Sequence, residues 1–88
     1  MKINLIKGEF TPTESIHLIT NLIDEKINFH KIERLQRLEG NQNSNTEDLF
    51  SRIEESEKER KEIVAFLIEC KEKNKSVTIK STIEVNEI

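Results

Sequence analysis

From Thr13 to Glu39 the chain runs for 27 residues without a proline or a glycine. Apolar residues recur there every three or four positions, the period of an amphipathic helix. Its start is specified locally. Thr11 suits the N-cap, Pro12 the first helical position, and Glu14 can reach back to the cap N–H in a capping box. Gly40 supplies a C-terminal stop. The pattern predicts a helix over 12–39, about 42 Å long at ~1.5 Å per residue.

A polar loop over 40–46 follows, and Ser44 or Thr46 ahead of Glu47 and Asp48 opens a second helix over 47–73. Asn74 is suited to a left-handed stop. From Val77 to Asn86 apolar and polar residues alternate, the cleanest period-two signal in the chain, and a strand is expected over 77–86. A shorter strand is expected over 2–7, with Ile3 and Leu5 on one side and Gly8 as its break. The order is β-α-α-β. A seven-residue connection between long helices folds them into an antiparallel hairpin. Both terminal strands then emerge at its open end, where they can pair antiparallel. The expected fold class is α+β, in one domain over 1–88. Leu, Ile, Val and Phe make up 27 of the 88 residues, about 31%, above the ~20% below which a charged chain stays disordered.

The helix faces raise a question of cover. At about 100° per residue, Ile16, Ile19, Ile23 and Ile27 form one stripe of the first helix. Leu18, Leu22, Phe29 and Ile32 form a second, with Leu35 and Leu38 displaced from both. One partner helix shelters one stripe. The second points to self-association as a dimer or higher assembly, and so does the open edge of a C-terminal strand expected to outrun its mate. The candidate interface residues are Leu18, Leu22, Phe29, Ile32, Ile79 and Ile83. The middle of the second helix is polar between Ile53 and Ile63. Folding the hairpin about residue 43 sets Arg60 against Lys26 and Ser56 against His30.

Lys26, His30, Arg34 and Arg37 fall along one side of the first helix, and Arg60 can join them from the second. Such a cluster suits an anionic small molecule, with Arg giving bidentate contacts. The competing account is internal. Residues 26–37 carry four bases against Glu33, a local +3, while residues 47–62 carry seven acids against four bases, a local −3. Side by side in a hairpin, these segments would pair and fix its register.

Several classes are excluded or disfavoured. The single cysteine, Cys70, rules out a disulfide scaffold. The first ten residues lack the apolar core of a signal peptide, and the longest apolar run, residues 63–68, is too short to span a bilayer. A cytoplasmic protein without membrane association is expected. No metal-ligand spacing joins His17, His30 and Cys70, no metal or cofactor is expected, and a thin hairpin offers no cleft for catalytic carboxylates. The net charge of −3 disfavours nucleic acid as a partner. Small, acidic and rich in Lys, Glu, Asn and Ile, the chain is similar in composition to accessory proteins of AT-rich bacteria and their phages. The function expected is that of a non-catalytic, oligomeric interaction or regulatory protein that binds another protein. The alternative is a module that sequesters an anionic small molecule or nucleotide through the basic stripe.

Overall fold

The computed structural model describes all 88 residues. Strand β1 (Lys2–Phe10) leads into helix α1 (Pro12–Gly40), then helix α2 (Glu47–Glu72) and strand β2 (Val77–Glu84). The helices form an antiparallel hairpin, the strands a two-stranded antiparallel sheet. This is the α+β architecture expected from the sequence.

Local chemistry sets the helix ends. The Glu14 N–H donates to Thr11 Oγ1 at 3.2 Å, and the Thr11 N–H donates to Glu14 Oε1 at 3.0 Å, closing the capping box. Gly40 does not act as a left-handed stop. Helix α1 includes it and ends on Asn41 in extended conformation (φ −157°). Asn74 is the chain's one non-glycine residue with positive φ, at 55°, and it turns the backbone out of α2. Thr46 occupies the cap position of α2, but its side chain caps nothing. Asn45 Oδ1 accepts from the Glu47 N–H instead, at 3.0 Å. The Thr46 hydroxyl is taken by Arg34, as described below.

The strands depart from expectation in two ways. Strand β1 runs through Gly8 to Phe10, and at nine residues it is longer than the eight of β2. Gly8 lies opposite Ile79, and the Phe10 ring passes close above it, 3.7 Å from where a Cβ would stand. That is ordinary van der Waals contact, and the backbone of Gly8 stays in the extended ladder, so pairing continues. The second departure is a bulge at Leu5: Asn4 pairs with Thr82, and Ile6 already pairs with Ser81. One extra residue reverses which face each later side chain meets. The bulge therefore brings Ile3, Ile6, Gly8 and Phe10 onto one face, together with Val77, Ile79 and Ile83. Lys7, Glu9, Thr78, Lys80 and Thr82 share the other.

Cover for that apolar face is partial. Strand β2 is the one that sits against α1, and Val77 and Ile79 line a crevice with Ile19, Ile63, Phe66 and Leu67. The far end of the ribbon projects beyond the helices, leaving Ile3, Leu5, Ile83 and Val85 exposed.

The core is correspondingly small. Ile27, Leu49, Ile53 and Leu67 are buried, with four polar residues, Ser15, His30, Thr46 and Ser56. The Cα atoms span 51 × 31 × 14 Å with a radius of gyration of 16.3 Å, against about 12 Å for a compact chain of this length. No helix is long and apolar enough to cross a membrane.

Candidate functional site

The basic residues singled out from the sequence do lie along the hairpin, but four of the five are already engaged. The Arg34 Nε donates to Thr46 Oγ1 at 3.0 Å, and its guanidinium stands 5.5 Å from the centre of the Phe50 ring. Arg37 donates to Asp48 Oδ1 at 2.9 Å and to the Asn45 carbonyl at 3.4 Å. Arg60 donates to both oxygens of Asp24. His30 is buried, and its Nδ1 lies 3.1 Å from Glu33 Oε1. Lys26 is exposed and forms no ion pair.

These contacts correct the register expected for the hairpin. Arg60 faces Asp24, two residues before Lys26, so the two bases are not set against each other. The physical reason is charge: Arg60 reaches the Asp24 carboxylate with two hydrogen bonds instead of facing another base. Arg37 and Asp48 form a second cross-helix ion pair near the loop, through one hydrogen bond. Ser56 and His30, the other expected pair, are both buried, and the Ser56 hydroxyl has no hydrogen-bond partner.

Two carboxylates are electrostatically perturbed, and both serve the fold. The Arg37 hydrogen bond holds Asp48 below its ordinary value of 3.8. The Thr11 backbone N–H, with its hydroxyl, holds Glu14 below 4.5. No three His, Cys, Asp or Glu side chains cluster in a way that could hold a metal ion.

Near the loop an open groove of about 440 Å³ runs between the helices, floored by Leu35, Leu38, Phe50 and Ile53. Its rim carries Lys31 and Arg34 on one helix and Glu54 and Glu57 on the other. The opposite charges cancel across it, so it favours an apolar occupant over an anion.

The candidate interface residues of α1 lie on the side turned from α2. Phe29 is 61% exposed, Ile32 46% and Leu22 39%, while Leu18 is half-buried. On β2, Ile79 is half-buried in the helix crevice and Ile83 is exposed. The sequence reading missed Leu35, Phe50, Phe66, Ile68 and Val85, which are exposed as well. A signal existed for Leu35, which falls outside both stripes. For Phe50 and Ile68 on α2, only the packing shows that they remain open.

The flat, extended shape also leaves a large total accessible surface. The protomer exposes 7133 Å², whereas a compact protein of its mass exposes about 5,400 Å². The surplus, roughly 1,800 Å², is about twice what each partner contributes to an interface of standard size. Comparison with family models, with curated proteins and with solved structures finds no match for the chain.

Proposed function

We propose that this chain is a non-catalytic interaction protein, acting in the cytoplasm as a homo-oligomer that binds another protein. One observation carries the reading: along α1 the apolar side chains of Leu22, Phe29 and Ile32 remain 39%, 61% and 46% exposed. Large contiguous apolar patches on small proteins mark association surfaces. The spacing of these side chains suits an amphipathic partner helix laid along α1. Sequestration of an anion is the weaker reading, because an arriving ligand would have to displace Thr46, Asp48, Asp24 and Glu33 from the groups meant to hold it.

A photo-crosslinking residue in place of Phe29, used in the source cell, tests this. Adducts to a second protein are expected. Adducts to the chain itself alone overturn the claim of a protein partner, and no adducts at all overturn the interaction reading.

A further inference from the structure

The two-stranded ribbon has two free edges, and they differ. Strand β1 carries the bulge at Leu5 on its length, a device that blunts an edge. Strand β2 is regular. Met1 and Val85 exchange both backbone bonds, at 2.7 and 2.8 Å. Odd-numbered residues of β2 therefore turn their N–H and C=O groups towards β1, and Thr78, Lys80, Thr82 and Glu84 turn theirs to the open edge. Those backbone groups are an unpaired ladder.

One charge on this strand is also unresolved within the protomer, whereas Glu84 faces Lys2 of β1. Lys80 stands opposite Lys7, a like-charge pair of the kind that destabilises a sheet. Neither lysine has an ion-pair partner.

We propose that β2 pairs antiparallel with β2 of a second copy about a two-fold axis at Thr82, giving a four-stranded sheet in the order β1-β2-β2-β1. This rests on the oligomeric reading above and names its surface. Centred there, Lys80 lies opposite Glu84 of the second copy, and symmetry repeats the pair. Other centres lose this match. An axis at Lys80 sets lysine on lysine, one at Glu84 sets glutamate on glutamate, and one at Ser81 or Ile83 leaves both charges facing uncharged residues. Thr82 is also an outward-turned residue, so it can exchange both backbone bonds with its own copy.

The same docking accounts for the exposed apolar end of the ribbon. An axis perpendicular to the sheet keeps both apolar faces on one side. Antiparallel pairing then lays Ile83 and Val85 of one copy beside Ser81 and Ile79 of the other, where the other copy's helices already stand. The end that its own hairpin fails to reach is sheltered by the neighbour's.

Charge reversal separates folding from assembly, read by sedimentation equilibrium and thermal melting of the full chain. Lys80→Glu replaces the repulsion with Lys7 by an attraction, so the melting temperature of the diluted protomer should not fall. In the dimer it sets two glutamates against Glu84 of the other copy, and the dimer dissociation constant should rise about tenfold or more. Glu84→Lys also turns the Lys2–Glu84 pair of the ribbon into a repulsion, so its melting temperature should fall slightly. It should weaken the dimer similarly, and the double reversal should restore the dimer to within about threefold. On a Cys70→Ser background, Thr82→Cys should form a disulfide-linked dimer under mild oxidation, and Thr78→Cys should not. A dimer indifferent to both single reversals, or one that the double reversal fails to restore, overturns the strand pairing alone. A chain that sediments at its monomer mass of 10.3 kDa at high micromolar concentration overturns the oligomeric reading with it.

Discussion

Arg60 on α2 grips Asp24 on α1 across 36 positions of sequence, its Nε 2.8 Å from one carboxylate oxygen and its Nη2 3.3 Å from the other. The pair sits where the apolar packing of the hairpin gives way to polar residues. It therefore sets register more than it adds stability. Both side chains are about half exposed, so screening limits its worth. A double-mutant cycle with Arg60→Ala and Asp24→Ala, followed by urea denaturation, should give a coupling of about 0.5–1 kcal/mol. A coupling near zero would remove the pair from the account of register.

Ser56 is 1% exposed and its hydroxyl is unpaired. An unsatisfied buried hydroxyl costs about 1–3 kcal/mol, and alanine is the better helix former. Ser56→Ala should therefore raise the melting temperature by several degrees, whereas Ser56→Leu should lower it by overfilling the helix interface. A melting temperature that falls in the alanine variant would mean that the hydroxyl has a partner in solution.

Leu49 is the most deeply buried apolar side chain, at 2% exposure. Leu49→Ala should lose about 2–5 kcal/mol. With only three other buried apolar residues to share the loss, circular dichroism at room temperature should show the variant largely unfolded.

Acid should destabilise the chain through Glu14 and Asp48. Both are held below their ordinary values when folded, so the unfolded chain binds more protons as the solution is acidified, and stability rises with pH in that range. Their contribution is complete above about pH 5 and is lost as pH falls through the lowered folded values. Melts recorded across that interval should show a steeper decline for the natural chain than for Glu14→Gln with Asp48→Asn.

Deleting Leu5 should be tolerated. Its removal joins Asn4 to Ile6 in a regular strand and leaves every pair from Ile3↔Ile83 to Phe10↔Val77 in place, with the apolar face intact. Amide exchange should find the ribbon protected as before. Inserting a residue elsewhere in β1 should abolish that protection.

The parts of this fold that sequence makes legible are those decided within one turn or one strand. Thr11, Pro12 and Glu14 specify the entry to α1 among themselves, and Asn74 the exit from α2. The alternation after Val77 announces β2. Features decided across the molecule are not legible in the same way. The bulge at Leu5 exists because β2 supplies a fixed partner for each residue on either side of it. Gly8 stays in its strand because Ile79 holds it in the ladder. Thr46 loses its capping role because Arg34, twelve residues earlier, takes its hydroxyl. The basic stripe is visible on a helical wheel, but which carboxylate each guanidinium meets depends on how the two helices pack.

The 14 Å thickness of the Cα trace has a chemical consequence. A plate this thin is one helix deep, so bulk water lies within a side chain's reach of every atom in it. Proton transfers tuned by a dry surrounding, or a charged intermediate shielded from hydrolysis, need walls on more than two sides. Walls beyond those two have to come from whatever stacks against the plate.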